Sequence, residues 1–304
     1  MGLLDGKVIL VTGGGRGIGR ETALIAAKQG AKVVVNDLGA GVHGEGADKG
    51  PAQEVADLIN SAGGQAIANT ESVTDLAAVN RMVGAAMEKF GGLHAVSNPA
   101  GILRDRMAHN MTEEEWDAIM TVHLRGHFNV VRATINHFRS QQDGVYVMWS
   151  STSGLIGNVG QANYGAAKMG IAGLSRIIAL EGARNNVRSN ALAPGAMTRM
   201  TDSVPRSDEQ AKAREAMRDV QSPVRPAELA VALMSDAAKR ISGQIFGAGG
   251  YNLSIFSQPR PIATYSREGG WDADGIVKDF FPRAEKDFTK LERTAPVPPI
   301  PAPA

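Results

Sequence analysis

The stretch VILVTGGGRGIGRETA, residues 8–23, decides the fold. Val8–Val11 is a short aliphatic run and reads as a strand buried on both faces. Thr12-Gly13-Gly14-Gly15-Arg16-Gly17-Ile18-Gly19 follows it, and helical periodicity then runs over Ile18–Gln29. A strand, a glycine turn and a helix in that order have the physics of a dinucleotide site. Glycine lets the backbone approach a pyrophosphate, and the helix N-terminus offers unpaired N–H groups and the positive end of its dipole. The glycines that fit are Gly13, Gly17 and Gly19, a spacing that departs from G-x-G-x-x-G. The competing reading is a glycine-rich turn that binds nothing.

Working outward, Lys32–Val35, Gln65–Ala68, Leu93–Val96, Gly144–Met148 and Val187–Leu192 read as further strands. Helical patterns at Pro51–Ala62, Leu76–Phe90, Glu113–Phe138 and Tyr164–Ala183 separate them. Steady strand–helix alternation implies a parallel sheet covered by helices on both faces. The expected fold is α/β, a doubly wound, Rossmann-type, mostly parallel seven-stranded sheet, with Gly243–Phe246 in the seventh strand. Residues 1–250 form the nucleotide-binding and catalytic domain, and 251–304 a C-terminal extension ending in the Pro-rich APVPPIPAPA. That tail is expected to be extended or disordered. Two further segments interrupt the alternation: the insertion LGAGVHGEGADKG (38–50), and a polar connection, 196–226, with a helix expected at Asp208–Val220.

Composition narrows the function. The 304 residues are 43% hydrophobic and 21% charged, as in a globular protein. The net charge of +1 leaves no electrostatic footprint for nucleic acid or an anionic membrane. With no cysteine there is no thiolate nucleophile and no Cys-ligated metal. No run of 18 apolar residues suggests a membrane span. Without a basic, apolar leader the expected location is cytoplasmic.

Asp37 stands just past the second strand, followed by Leu38. A carboxylate there accepts hydrogen bonds from the adenosine ribose and repels a 2′-phosphate, which favours NAD over NADP. Arg16 pulls the other way, because a guanidinium can pair with that phosphate. Further along, Ser151 lies 13 residues before Tyr164, and Lys168 four after it. At i and i+4, Tyr164 and Lys168 share one helix face. An ammonium beside a phenol favours the phenolate, and such a phenol can take a proton from an alcohol. Ser151, at the end of the fifth strand, can hydrogen-bond the substrate oxygen. A lone Y-x-x-x-K is weak; its conjunction with the glycine loop is specific.

These motifs resemble the short-chain dehydrogenase/reductase family. TGGGRGIG matches its T-G-x-x-x-G-I-G loop; Ser151, Tyr164 and Lys168 match its Ser and Y-x-x-x-K; Pro194-Gly195 with Thr198, spaced P-G-x-x-T, resemble its P-G-x-x-x-T with one residue fewer. Asn98-Pro99-Ala100-Gly101 matches N-N-A-G with Pro99 as a departure, and Ser72-Val73 stands where Asp-Val is usual. The family's catalytic Asn falls on His123. The resemblance implies catalytic roles for Ser151, Tyr164, Lys168 and His123. It implies cofactor contacts from Gly13, Arg16, Gly17, Ile18, Gly19, Asp37, Leu38, Ser72, Val73, Asn98, Ala100, Gly101, Pro194, Gly195 and Thr198, besides Tyr164 and Lys168. VVVNDLG, AGILRDR, VHLRGHF and GNVGQANYGAAK are similar more narrowly to the (3R)-hydroxyacyl-CoA dehydrogenase unit of peroxisomal multifunctional β-oxidation enzymes. That subgroup also carries His at the position of His123, and the segment Trp271–Leu291 resembles its extension. Stand-alone actinobacterial relatives look similar.

The expected function is NAD-dependent oxidation of an acyl-CoA substrate, a (3R)-hydroxyacyl-CoA. The alternatives are a hydroxysteroid dehydrogenase, a 3-oxoacyl carrier-protein reductase, or an NAD-sensing protein without turnover. His123 and His127, at i and i+4, are weighed as metal ligands, but no third ligand is evident and no metal is expected. Arg104 and Arg106 read as loop or interface charges, with an acyl-CoA phosphate as the other possibility. Met197, Met200 and Met217 suit a lid over an apolar substrate, or plain packing. The small residues of GAAKMGIAGLSRIIALEGA permit close helix approach, so a homodimer or homotetramer is expected.

Overall fold

The strands are β1 Val8–Thr12, β2 Lys32–Asn36, β3 Gln65–Asn69, β4 Ala95–Asn98, β5 Gly144–Trp149, β6 Val187–Gly195, β7 Ile245–Gly249 and β8 Asn252–Ile255. They come from a computed structural model that describes residues 2–46, 48, 50–197, 215 and 217–294. Among the described residues these eight form one sheet in the order β3-β2-β1-β4-β5-β6-β7-β8. All pairings are parallel except β7 with β8. The sequence predicts seven strands; the eighth is a correction. Gly250, at φ +59°, turns the chain back on β7. Leu253 and Ile255 of β8 are 69% and 73% exposed, so no buried stripe marks it in the sequence.

The period of two in β1 sorts its side chains between two cores. Ile9 and Val11 join Val33, Val35, Val145, Val147 and Leu192 on one face. Helices α1 (Gly17–Lys28), α2 (Gly50–Ser61) and α8 (Val224–Met234) cover that face. Val8 and Leu10 join Val34, Val96, Tyr146 and Met148 on the other, under α3 (Leu76–Phe90), α5 (Gly126–Gln141) and α7 (Ala162–Gly182). Asp75 caps α3 by accepting from Ala77 N at 2.9 Å, and Gly91 ends it in the left-handed conformation. The connection before α5 is not the single helix expected. It is α4 (Glu113–Ile119), opened by a Thr112–Glu115 capping box, then a π-helical turn, Met120–Arg125. Such single turns concentrate at functional sites.

The chain leaves β1 toward β2 on one side and reaches β4 on the other, so a crevice opens at the carboxyl ends of β1 and β4. After β8, short helical turns between Ala273 and Asp287 gather Tyr265, Trp271, Phe280 and Phe281 into one aromatic cluster. The chain then returns to the sheet's carboxyl edge: Thr294 N and Oγ1 donate to Gly157 O at 2.8 and 2.9 Å. No helix among the described residues is long and apolar enough to cross a membrane. Most of the expected helix Asp208–Val220, with Thr198, Met200 and residues 295–304, lies outside the described residues.

Candidate active site

A cleft of about 390 Å³ occupies the crevice. Gly13, Arg16, Gly17, Ile18, Gly19, Asp37, Leu38, Ser72, Val73, Ala100 and Gly101, all singled out in the sequence, line it. The glycine requirement is steric. A Cβ on Gly13 would lie 2.8 Å from Ala100 Cα, and Gly13 has φ +58°. A Cβ on Gly19 would lie 2.0 Å from Gly13 O. Arg16, the N-cap of α1, makes no side-chain cap, and the first turn carries no acidic residue. The first N–H groups of a 12-residue helix therefore face the cleft without a capping carboxylate, as a pyrophosphate requires. A dinucleotide fits these residues.

Asp37 already serves the loop. Its Oδ2 accepts from Gly15 N at 2.9 Å and its Oδ1 from Gly39 N at 2.7 Å. Arg16 lies 4.0 Å from Asp48 of the insertion, which moderates its call on a phosphate. The insertion is a folded flap. Leu103 N donates to Val42 O at 3.0 Å, His43 Nδ1 meets Leu103 O at 3.0 Å, and Ala40, Gly41 and Gly44 line the cleft. The sequence reads the segment as a glycine-rich loop, and its described residues 38–46 and 48 carry no helix or strand, in agreement. The sequence reading passes over Asn36, Glu71, Thr74, Ile102 and Val122, which with Pro99 complete the lining. Asn36 is the most legible of these: a buried Asn at a strand end, donating to Asn69 Oδ1 and Glu71 O at 2.8 Å. Asn98, buried at the end of β4, accepts from Thr12 Oγ1, which ties the ends of β4 and β1 together. Pro194 and Gly195 end β6.

The reacting side chains gather beyond β5. Ser151 follows β5 and caps the short helix α6 (Thr152–Leu155), accepting from Ser153 N at 3.1 Å. It also hydrogen-bonds Tyr164, on the first turn of α7. Lys168, one turn on, is buried; its Nζ donates to Trp149 O at 2.7 Å and lies 5.3 Å from the Tyr164 ring centroid. Burial pushes the Tyr164 phenol up to about 12, against the Ser151 hydrogen bond, and pulls Lys168 down to about 7. The expected lowering of the phenol by the ammonium is thus not what the protein alone produces. Desolvation dominates at the phenol, and only the Ser151 hydrogen bond works against it.

His123 sits on the π turn, fully buried, edge-on to Tyr164 with ring centroids 5.2 Å apart. Its Nε2 lies 2.8 Å from Ile102 O and 3.2 Å from Ile102 N. The shorter contact assigns the proton to Nε2, and Nδ1 is left as a buried atom without a hydrogen-bond partner. Burial holds the imidazole neutral, well below its usual range. His127 is different. Its Nδ1 donates to His123 O at 2.7 Å and its Nε2 accepts from Trp149 N at 3.4 Å, so both nitrogens are spent on structure. Among the described residues no group of three or more His, Asp or Glu could hold a metal. Arg106 pairs with Glu115 at 2.7 Å, within the chain. A phenol, a hydroxyl, an amine and a bare imidazole nitrogen beside a nucleotide-shaped cleft can move a proton to or from an alcohol oxygen.

Residues 7–212 match the family model described as short chain dehydrogenase. The chain is 48% identical over 200 residues to the peroxisomal multifunctional enzyme type 2 of Mus musculus, a match spanning 66% of this chain and 27% of that one. It is 37% identical to a hydroxyacyl-CoA dehydrogenase of Mycobacterium tuberculosis, over 91% of this chain and 89% of that one. The crystal structure of a short chain dehydrogenase from Mycobacterium avium superposes with a TM-score of 0.82 at 36% identity, covering 96% of this chain and 99% of that one. The chain belongs to the short-chain dehydrogenase family, and is a dehydrogenase/reductase of a CH–OH carbon that works with NAD or NADP.

Proposed function

We propose that the protein transfers hydride between NAD and the 3-hydroxy carbon of a (3R)-hydroxyacyl-CoA. The observation that carries the reading is the Ser151–Tyr164–Lys168–His123 group, enclosed beside a cleft whose β2 end bears a carboxylate, Asp37. Similarity to hydroxyacyl-CoA dehydrogenases supports the substrate class. The cofactor, when bound, supplies the carbon that gives or takes hydride. The glycine turn and α1 hold its pyrophosphate, and Asp37 faces its adenosine ribose. Ser151 hydrogen-bonds the substrate oxygen. Tyr164 exchanges the proton with that oxygen, and Lys168, in its protonated form, favours the phenolate in oxidation. His123 Nδ1, an open acceptor, holds a water that relays the proton.

A reductive reading, as a 3-oxoacyl reductase, is favoured by similarity to a 3-oxoacyl-[acyl-carrier-protein] reductase of Thermotoga maritima, 34% identical over 81% of this chain and 98% of that one. The exposed Met169, Ile177 and Leu180 on α7 suit a homodimer or homotetramer. The test is a panel of 3-hydroxyacyl-CoA thioesters, hydroxysteroids and acyl carrier-protein substrates, each with NAD and NADP. Fastest turnover of a hydroxyacyl-CoA with NAD is expected. Preference for a steroid, or for NADPH with a carrier-protein substrate, overturns the reading.

A further inference from the structure

We propose that Asn163 is a positioning residue that holds the Tyr164 backbone and the loop anchoring His123 in one register. The proposal rests on the reading of Tyr164 as the acid/base. It begins with an oddity of sequence. Asparagine is disfavoured inside helices because its amide competes for backbone groups. Asn163 is nonetheless the second residue of α7, and it is fully buried. The preceding N-cap, Gln161, makes no side-chain cap.

Three of the four hydrogen-bonding directions of the Asn163 amide are used, and each partner is backbone. Nδ2 donates to Arg104 O at 2.9 Å and to Glu115 O at 3.0 Å. Oδ1 accepts from Tyr164 N at 2.7 Å. That N–H belongs to the first turn of α7, where no intrahelical acceptor exists. Arg104 lies two residues after Ile102, whose carbonyl holds the His123 imidazole at 2.8 Å. Glu115 lies in α4, which runs directly into the π turn carrying His123. One side chain therefore joins the two elements whose side chains meet edge-on at 5.2 Å. Around it the same two elements are tied less deeply: Arg106 N donates to Gly160 O at 2.8 Å, and Gln161 Nε2 to Asp105 Oδ2 at 2.8 Å.

Removing the amide leaves two carbonyls and the Tyr164 N–H without it, and lets α7 slide against the loop. The phenol then moves relative to Ser151, whose hydrogen bond opposes the effect of burial on its proton. A displacement of about 1 Å costs on the order of 10²-fold in rate. Weakening of the Ser151 bond also raises the pH at which oxidation reaches half its plateau.

The experiment compares wild type, Asn163→Ala, Tyr164→Phe and Thr134→Val. Thr134 is a remote buried control on α5, bonded to Tyr146 Oη at 2.7 Å. The assay uses the hydroxyacyl-CoA that wild type oxidises fastest, with kcat counted per site from NADH fluorescence titration. Asn163→Ala is expected to lose about 10- to 100-fold in kcat, with NADH Kd and substrate KM within about threefold, and its pH–rate limb moved to higher pH. Thr134→Val is expected to lower Tm and keep kcat and the pH limb. If Asn163→Ala keeps kcat within about twofold and its pH limb stays in place, Asn163 is merely structural and the proposal is overturned. If Tyr164→Phe keeps its activity, the underlying reading fails instead. Should the alanine variant not fold, the isosteric Asn163→Asp, which loses both donors and keeps the acceptor, is read at the same limits.

Discussion

Replacing Gly101 with alanine sets one methyl group against the His123 imidazole. A Cβ built on Gly101 lies 2.3 Å from Cε1 of His123 and 3.1 Å from both ring nitrogens. Gly101 does not adopt a positive φ, so alanine brings no dihedral strain and the contact is the whole effect. His123 is fully buried with Tyr164 edge-on to it at 5.2 Å, so the ring moves only by disturbing its contacts. Carbon atoms pack at roughly 3.5–4.0 Å, so the ring must retreat by about 1 Å. That breaks the 2.8 Å bond to Ile102 O. Overpacking costs about 1–3 kcal/mol and the broken buried hydrogen bond about 1–3 more, roughly 2–6 kcal/mol together. At about 2–4 °C per kcal/mol, Tm should fall by roughly 4–24 °C. The displaced imidazole should lower kcat by on the order of 10²-fold. Gly84→Ala is the control: it lies in α3 with nothing within 4 Å of its Cβ. It should gain about 0.5–1 kcal/mol and leave kcat alone. Differential scanning calorimetry and steady-state kinetics read both variants. A Gly101→Ala protein with wild-type Tm, and kcat within about twofold, refutes the packing argument.

Tyr164→Phe keeps the ring and removes the proton; kcat should fall about 10²–10⁴-fold while NADH titration shows unchanged affinity, and retained turnover would show another acid/base at work. Asp37→Asn removes the charge and keeps an acceptor for Gly15 N, at 2.9 Å in the native chain. The NAD-to-NADP ratio of kcat/KM should narrow by about tenfold or more, equivalent to about 1.4 kcal/mol, and an unchanged ratio excludes Asp37 as the determinant. Acid should destabilise the fold through His127, which burial pulls down to about 3, and through His123. Between about pH 6.5 and 3 the unfolded chain binds a proton that native His127 refuses, so stability falls with pH by about 1.4 kcal/mol per unit through His127, and His123 acts in the same direction. Urea unfolding at successive pH values measures that slope, and His127→Gln should flatten it; an unaltered slope contradicts the assignment.

One periodic element is legible to the residue, and the other helices are legible in place but not in their ends. Leu76–Phe90 is a helix at those bounds, because its apolar stripe, Asp75 cap and Gly91 stop agree. The turn Gly13–Gly19 lines the cleft as its composition implies, since only glycine fits against Ala100 Cα and Gly13 O. Three features lacked a local signal. The π turn at Met120–Arg125 keeps helical periodicity in sequence, yet shifts His123 inward. The flap at 38–46 is held by bonds to Leu103, far along the chain. The electrostatics of Tyr164 and Lys168 depend on enclosure, which i, i+4 spacing does not report. Asn163 was within reach: an amide just inside a helix and beside a candidate acid/base is costly unless it is bonded.

Enantiomer choice tests the central claim most directly. In the proposed reaction Tyr164 and Ser151 would hold the substrate oxygen on one side and the cofactor in the cleft would take the hydride on the other, so the two arms of the carbinol carbon would have one placement each. Each pure enantiomer of a 3-hydroxyacyl-CoA is mixed with the enzyme and NAD, and NADH formation is followed by absorbance. The account predicts turnover of the (3R) form, with the (3S) form slower by on the order of 10²-fold or more in kcat/KM. Comparable rates for both hands, or a preference for (3S), would contradict it.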